Sequence, residues 1–350
     1  MAYSATQLAE TQRNAYNADK PIALGDNALE LIATSNKVWR SWNSSTYAGD
    51  NNFGAYTVAS SLFDATDSTY PTSRLSDRFT HKVSRALKPN GITSVSNDRW
   101  SFICYFANGF SFDSVAILGH NFGTLSKLFG TANGGNAFTI KLGVSDDGST
   151  WTTIATFTDP QTDMPITSFN LANGSGSPST FASFTGVAYF GISIVCASSA
   201  MGVLPTTLPE ISEVVIGNRF QFLHQAKIPY RDRETGNVST RETGRTGASA
   251  VDIQNSGGRR IEGTFQLTSD KSDFVSFYQN DLTQGMLPFL YVPKGTRALF
   301  PSSYQGSEPG EAFWVTMQNE SLSVEVEESY LDTTVQLSLR ESAPYHSSVT

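Results

Sequence analysis

The sequence is short of charge, cysteine and histidine, and each shortage narrows the kinds of protein it can encode. Charged side chains make up 16% of the 350 residues, below the quarter that is typical of globular proteins. The formal net charge is -8, whereas binding to phosphates needs a net basic face, so nucleic acid is not expected as the main ligand. With two cysteines, Cys104 and Cys196, the chain shows no disulfide framework. Each lies in an apolar, strand-like run and could be a buried thiol or half of one disulfide bridge. The pattern favours buried thiols.

The histidines and carboxylates form no catalytic or metal-binding motif. Four histidines are scattered without an H-x-x-x-H or H-E-x-x-H spacing: His81, His120, His224 and His346. In the Gly-His-Asn triplet we expect His120 or Asn121 to make a structural hydrogen bond to a loop carbonyl. Asp146 and Asp147 could help to bind calcium, but an Asp-Asp-Gly turn needs these side chains for its own geometry. We therefore predict no catalytic residues, no metal and no cofactor, and a protein that is not an enzyme.

The chain also lacks a long apolar run. No stretch approaches the length that spans a membrane, and the N-terminus has no basic segment followed by an apolar one. We therefore expect neither membrane insertion nor a secretory signal. Glycine, serine, threonine and asparagine are abundant and aromatic residues reach 12%, a composition typical of structural proteins that are rich in strands and loops.

Alternation of apolar and polar residues is the main positive signal, and it predicts strands. It is clearest in residues 114–157, where a short apolar strand ends at Gly-His-Asn and the run FTIKLGVSDDGSTWTTIATF predicts a hairpin that turns at Asp-Asp-Gly. Further apolar runs at 100–112, 187–198 and 211–222 complete a predicted β-sandwich. By contrast, residues 72–88 have apolar side chains four apart, which predicts an amphipathic helix.

Two segments near the N-terminus have less regular patterns. The apolar side chains of residues 1–30 recur with no clean period, and Pro21 and Gly25 interrupt the segment. This predicts an extended arm, which either lies on a neighbouring subunit or is partly disordered. Residues 36–97 are rich in aromatic side chains. Trp39, Trp42 and Tyr47 could stack on the rings of a glycan; the alternatives are a lid on the sandwich core or an oligomer contact.

Two segments of opposite charge stand out in the C-terminal third. Residues 227–260 hold seven basic and four acidic residues and almost no large apolar side chain, which predicts a long exposed hairpin or basic arm over about residues 231–258. Residues 308–332 hold seven acidic residues and no lysine or arginine. Opposite patches on one chain favour head-to-tail contacts that close into rings, although both segments could instead be solvated faces. The contact residues predicted on this basis are Arg231, Arg233, Arg241, Arg245, Arg259, Arg260, Glu325, Glu327 and Glu328.

The region after residue 258 combines strands with one helix. RRIEGTFQL, PFLYVP and VQLSLRES predict strands, and SDKSDFVSFYQND predicts a short helix between the first two. This is a small α+β domain in which one helix lies against an antiparallel sheet or barrel. The whole chain is predicted to be mainly β, with an arm over residues 1–30, a sandwich over 31–222 and the α+β domain over 223–350.

Both domains resemble known families. The apolar strand ending in Gly-His-Asn, followed by the SDDGSTW hairpin, resembles the galactose-binding-like (discoidin-type) β-sandwich. The order RRIEG, helix with Phe-x-x-Phe-Tyr, PFLYVP and closing VQLSLRES resembles a module of tailed-bacteriophage tail-tube, distal-tail and baseplate proteins. In the best-known distal tail proteins the ring-forming domain comes first, whereas here the sandwich comes first.

These resemblances imply a function. The second implies a virion structural protein at the distal tail tip or baseplate, which forms a homo-oligomeric ring, contacts other tail proteins and is made in the host cytoplasm without a signal peptide. The alternative, implied by the first, is a carbohydrate-binding protein that recognises a host cell-surface glycan through its sandwich.

Overall fold

The computed structural model describes residues 21–26, 37–44, 75, 84–85, 98–130, 138–160, 163, 166–168, 184–196, 209–223, 226–234, 238–243, 249–255, 259–267, 271–293, 312–319, 324–326 and 333–341. The strands in chain order are β1 (Ile22–Gly25), β2 (Lys37–Ser44), β3 (Ser84–Arg85), β4 (Asp98–Phe112), β5 (Ser114–Leu118), β6 (Phe138–Ser145), β7 (Thr152–Thr158), β8 (Ile166–Ser168), β9 (Phe184–Cys196), β10 (Glu210–Ile211), β11 (Glu213–Gly217), β12 (Arg219–Gln221), β13 (Ala226–Glu234), β14 (Val238–Thr243), β15 (Ser249–Asn255), β16 (Arg259–Leu267), β17 (Phe289–Val292), β18 (Phe313–Met317), β19 (Val324–Val326) and β20 (Thr333–Glu341). Helix α1 is Phe122–Phe129, and helix α2 is Lys271–Ser276, which continues as a π-helical turn over Phe277–Asp281.

The described residues divide into two compact units. One, called here the sandwich unit, is formed by described parts of residues 26–219. The other, called the sheet unit, is formed by described parts of residues 1–25, 220–296 and 310–345. Neither of the two described helices has the length and apolar character that crossing a membrane requires.

The sandwich unit contains a five-stranded and a three-stranded antiparallel sheet. The larger sheet has the order β2-β4-β9-β6-β7 and the smaller has the order β11-β5-β8. Alternate side chains of both sheets meet in one core, among them Phe102 on β4, Ile117 on β5 and Ile192 on β9, and Cys104 is buried with them. Because two sheets share one core, the predicted β-sandwich and the mainly β class are confirmed.

Helix α1 directly follows the Gly-His-Asn triplet, and the sequence pattern does not predict it. Its apolar side chains Phe122 and Leu125 are three apart and are buried in the sandwich core. A helix of eight residues contains too few turns for its period to stand out from the flanking loop.

The predicted helix over residues 72–88 is wrong where the structure describes that segment. Ser84 and Arg85 form β3, which pairs with Ile211 and Glu210 of β10. Leu75 is fully buried in the sandwich core. The other residues of this segment lie outside the described residues. The serine and threonine content explains the failure, because these side chains compete with the helical backbone for hydrogen bonds.

The sheet unit is built on one eight-stranded sheet. Its order is β12-β1-β17-β18-β20-β16-β13, with β19 pairing on β20. Odd-numbered residues of β16, such as Phe265, lie in a core that also contains Phe274 and Phe277 of α2. The predicted strand over residues 259–267 and the predicted short helix against an antiparallel sheet are therefore confirmed.

Strand β1 belongs to this sheet, although residues 1–30 were predicted to be an arm. Its four residues are buried and pair antiparallel with β17, from Ile22 opposite Val292 to Gly25 opposite Phe289. Side chains on both faces of β1 are buried, which is why its residues show no apolar–polar alternation. Residues 1–20 of the predicted arm lie outside the described residues.

The sandwich unit is therefore inserted into the sheet unit. The chain leaves the sheet after β1 and returns with β12, the neighbouring strand, and the Phe222 amide donates to the Pro21 carbonyl (3.0 Å). The chain re-enters at Phe220, close to the predicted boundary at residue 222.

Candidate functional site

The Gly-His-Asn corner joins the end of β5 to α1 and β10. Gly119 has a φ of 57°, a left-handed conformation that favours glycine. The buried His120 accepts a hydrogen bond at Nδ1 from the Phe122 amide (3.3 Å) and stacks on the Phe122 ring, with centroids 4.5 Å apart. Asn121 Oδ1 accepts from the Glu210 amide (3.0 Å). Both side chains thus accept structural hydrogen bonds from backbone amides, and the donation to a loop carbonyl stays a prediction.

A carboxylate of the protein itself binds the N-terminus of α1. Asp163 accepts from the Thr124 amide (2.9 Å) and from the Thr124 hydroxyl (2.6 Å). These bonds satisfy one of the helix amides that have no partner within the helix, and the negative charge suits the positive end of the helix dipole. No sequence pattern indicates this contact, since the two residues are far apart along the chain.

The Asp-Asp-Gly turn between β6 and β7 is held by its own side chains. Asp147 accepts from the amides of Thr150 (2.7 Å) and Ser149 (2.8 Å), and these bonds hold the pKa of its carboxyl well below the usual range. Trp151 Nε1 donates to the Gly148 carbonyl (3.2 Å). Among the described residues no cluster of histidine, cysteine and carboxylate groups could hold a metal ion. Through these bonds Asp147 serves the geometry of the hairpin, which is one of the two roles predicted for the turn.

An aromatic cluster covers part of the outer face of the five-stranded sheet. Tyr105 and Tyr189 are cross-strand partners with ring centroids 5.0 Å apart, and Trp151 meets Tyr189 edge-on at 6.5 Å. Burial raises the pKa of the Tyr189 hydroxyl, and the nearby Tyr105 and Asp147 add to the effect. Because Trp151 and Tyr189 are buried, they offer little ring surface to a ligand.

Two of the predicted glycan contacts lie on a described strand. Trp39 is paired with Cys104 and Trp42 with Ser101 on the edge strand β2. Tyr47 lies outside the described residues. The contact with a glycan stays a prediction.

The arginines of the predicted basic arm fall into three groups. Arg231 and Arg233 lie on β13, the edge strand of the sheet unit, and Arg259 and Arg260 lie on its neighbour β16. Arg241 lies on β14, which pairs with β15 to form the predicted hairpin. Arg245 lies outside the described residues.

Arg259 and Arg260 are neighbours in sequence but differ in surroundings. The Arg259 guanidinium lies over the Phe313 ring, 4.7 Å from its centroid, and the Arg259 amide donates to Glu341 (2.9 Å). Arg260 is exposed and forms an ion pair with Glu262, with Nε and Oε1 2.9 Å apart. Arg260 thus lies on the solvent face of the sheet, while Arg259 packs at the edge of the core.

The strand register brings three arginines into one row, which we call the arginine ladder. Arg233 is opposite Arg260, and Arg260 is opposite Arg340 of β20. Cross-strand partners lie on the same face of a sheet, so all three positions belong to the polar face, opposite the core residues Ile261 and Leu339. Arg340 was not among the predicted contacts. Its signal is the alternation in VQLSLRE, where it falls on the polar positions.

One of the three predicted acidic contact residues lies within the described part of the chain. Glu325 lies on β19 and is opposite Thr334 of β20, while Glu327 and Glu328 lie outside the described residues. Thr334 is buried, whereas Arg340, six residues further along β20, is exposed.

No protein-family model matches the chain, and no curated protein matches its sequence. Several solved structures resemble it distantly. The family 32 carbohydrate-binding module of Clostridium perfringens NanJ, in complex with galactose, is 12% identical, with 57% of this chain and 99% of that chain covered and a TM-score of 0.28. The Clostridium perfringens module CpGH89CBM32-5, in complex with GalNAc-β-1,3-galactose, is 13% identical, with 56% and 99% covered and a TM-score of 0.27.

A GH29 fucosidase from Ruminococcus gnavus, in complex with fucose, is 14% identical with a TM-score of 0.27. The match covers 43% of this chain and 23% of the fucosidase, so the chain spans less than a quarter of that enzyme's length. The structural similarity of the chain to all three proteins is therefore distant. Likenesses of this size carry no argument about what it binds.

Proposed function

We propose that the protein is a virion component of a tailed bacteriophage, located at the distal tail tip or baseplate, with separate parts for assembly and for recognition. The sheet unit joins copies of the chain into a ring and contacts other tail proteins. The sandwich unit is carried on that ring and meets the host surface. The proposal assigns no catalytic step to either unit.

The observation that carries this proposal is the insertion of the sandwich between β1 and β12. The eight-stranded sheet has its own core, with the two adjacent strands as the connection to the sandwich unit. The sandwich likewise has its own core. A chain built in this way can keep one unit in a repeating assembly while the other varies with its target.

The ring is tested by imaging and native mass spectrometry of the full-length protein. Particles with rotational symmetry and a mass that is a whole multiple of 37.9 kDa are expected at micromolar concentration and low salt. A monomer under all these conditions would overturn the assembly part of the proposal.

The second candidate function is recognition of a host cell-surface glycan by the sandwich unit. It is favoured by the position of Trp42 on β2, an edge strand of the five-stranded sheet, because an aromatic residue can stack its ring on a pyranose ring. A glycan array probed with the full-length protein tests it. Binding to a defined glycan should be lost in Trp42→Ala and kept in Trp42→Phe. An array without signal, or a signal that Trp42→Ala leaves unchanged, would contradict this role.

A further inference from the structure

The C-terminal end of β4 loses its regular pairing with β9. The register shifts once between Tyr105 and Phe110 and again between Phe110 and Phe112. Gly109 and Gly186 both have left-handed φ values, 71° and 68°, and a Cβ on Gly109 would lie 3.0 Å from the Gly186 carbonyl oxygen. The space over Gly186 itself is open, because no atom lies within 4 Å of its Cβ position. Bulges are frequent beside binding sites, and a strand glycine marks a place where a ligand or another backbone approaches closely.

Phe110 is the half-buried end of a row of aromatic rings. Its ring centroid is 5.1 Å from that of Phe106 and 6.0 Å from that of Phe112, which meets Phe190 edge-on at 5.9 Å. Because Phe106, Phe112 and Phe190 are buried in the sandwich core, they hold the Phe110 ring in place. A ring that is fixed in advance loses little entropy when a ligand packs on its exposed part.

The residues beside Phe110 are polar and uncharged. Four of them are exposed: Asn108, Ser111, Thr185 and Asn218. Ser111 connects three segments, since its Oγ accepts from the Gly186 amide (3.2 Å) and its carbonyl accepts from Asn218 Nδ2 (3.5 Å). We call this surface, formed by residues 108–111, 185–186 and 218, the Phe110 rim. It combines one aromatic ring with hydroxyl and amide side chains.

The strands that carry the Phe110 rim have few charges near them. Residues 100–112 and 174–208 contain no lysine, arginine, aspartate or glutamate. Asp113 and Arg219, which flank the rim in sequence, are half-buried, and Asp113 Oδ1 accepts from the Arg219 amide (3.0 Å). The rim therefore suits a neutral ligand with an apolar face for the ring and hydroxyl groups for the polar side chains. A pyranose ring has both.

We propose that the Phe110 rim is a binding site of the sandwich unit for a neutral sugar residue, whose C–H face stacks on Phe110. The inference rests on the glycan recognition proposed above as the second candidate function, and it gives that function a contact apart from Trp42. Phe110 is nine residues further along β4 than Ser101, the partner of Trp42, which corresponds to about 30 Å on a regular strand. The rim is therefore a separate site, and two such sites together bind a dense glycan surface more tightly than either does alone.

The test compares variants of the full-length protein on an array of neutral, sialylated and sulfated glycans. Phe110→Leu removes the ring but keeps an apolar side chain against the core, and it should weaken binding to neutral glycans at least tenfold, whereas Phe110→Tyr should bind as the wild type does. The matched control is Phe157→Leu, because Phe157 is also half-buried and packs against the same core from β7; it should bind normally. Asn108→Ala changes an exposed amide outside the core, so it tests the rim even if Phe110→Leu does not fold, and it should weaken binding to the same glycans.

The outcomes separate this site from the function on which it rests. If the wild type binds neutral glycans and both Phe110→Leu and Asn108→Ala bind them equally well, the rim is not the site and glycan recognition stands. Equal losses in Phe110→Leu and Phe157→Leu, or binding confined to sialylated or sulfated glycans, also overturn the inference. If Phe110→Leu keeps glycan binding but weakens oligomers in sedimentation velocity, the rim is a protein contact and the inference is wrong. If the wild type binds no glycan, the proposed recognition fails and this site fails with it.

Discussion

Several residues that look functional in the sequence serve the backbone of the sandwich unit. His120, Asn121 and Asp147 each accept hydrogen bonds from backbone amides in corners and turns. Their residue types were visible in the sequence, and so was their turn context. The role of the Asp163 carboxylate was not visible in the sequence, because its partner Thr124 is distant along the chain and the contact depends on tertiary structure.

The pH response of the β6–β7 turn follows from Asp147. The pKa of its carboxyl in the folded protein lies well below the ordinary value of 3.8. The carboxylate therefore stabilises the fold above the unfolded pKa, and this contribution is lost as the pH falls toward the folded pKa. We expect Asp147→Asn to lower the melting temperature at pH 7, and the gap from the wild type to narrow progressively below about pH 4. Melting curves at pH 7, 4 and 2.5 check this. A gap that is constant with pH, or an equal loss in the control Asp146→Asn, would contradict it.

Gly130 is a position where no side chain fits. A Cβ there would collide with the Ser126 carbonyl and lie 2.6 Å from Asp159 Oδ1, which accepts from the Phe138 amide (2.8 Å). We expect Gly130→Ala to destabilise the sandwich unit by about 1–3 kcal/mol, as overpacking does elsewhere. Urea unfolding followed by tryptophan fluorescence measures it. The comparison is Gly186→Ala, where no atom lies within 4 Å and the positive φ of 68° is the main cost, so its loss should be smaller.

At the scale of elements, periodicity was enough to predict a strand where the strand is long and its apolar and polar side chains alternate. The strands β4, β6, β9, β16 and β20 follow from their sequences, and β16 has its predicted bounds. Three short elements were not predicted. Helix α1 has eight residues, β3 has two, and β1 is buried on both faces, so none of them carries a period long enough to read. Their conformations are fixed by partners elsewhere in the chain.

Helix α1 should depend on its distant carboxylate. We expect Asp163→Ala to cost about 1 kcal/mol, the usual effect of losing a helix cap, because the Thr124 amide and hydroxyl then lose their acceptor. Asp163→Asn keeps one acceptor oxygen and should lose less. Equilibrium unfolding in urea compares the three proteins, and equal stability of all three would show that the cap contributes nothing.

At the scale of the whole molecule, the sequence predicted two domains in series, whereas the structure inserts one into the other. The reason is that β1 is separated from its partner β17 by the entire sandwich unit, and pairing over such a distance leaves no mark in local sequence. The charged segments show the same limit. They were visible in the sequence, but the arginine ladder exists only in the register of three strands.

The insertion predicts that each unit can fold without the other. β1 and β12 are adjacent, so a short glycine-rich linker in place of residues 26–219 should leave the eight-stranded sheet intact. We expect this shortened chain to give a strand-type circular dichroism spectrum and cooperative melting, and residues 26–219 alone to do the same. A sheet unit that is insoluble or melts without cooperativity would show that it needs the insert.

The insertion also sets an order of events during synthesis. Strand β1 leaves the ribosome long before β17, and closing so long a flexible loop carries a large entropy cost. The sandwich can reduce that cost, because its two ends are fixed once it is folded: Asp26 Oδ1 accepts from the Ile216 amide (3.3 Å) and Asp113 Oδ1 from the Arg219 amide (3.0 Å). A folded sandwich unit therefore keeps the chain ends that lead into β1 and β12 close together. The eight-stranded sheet is completed last, after residues 289–341 have been synthesised.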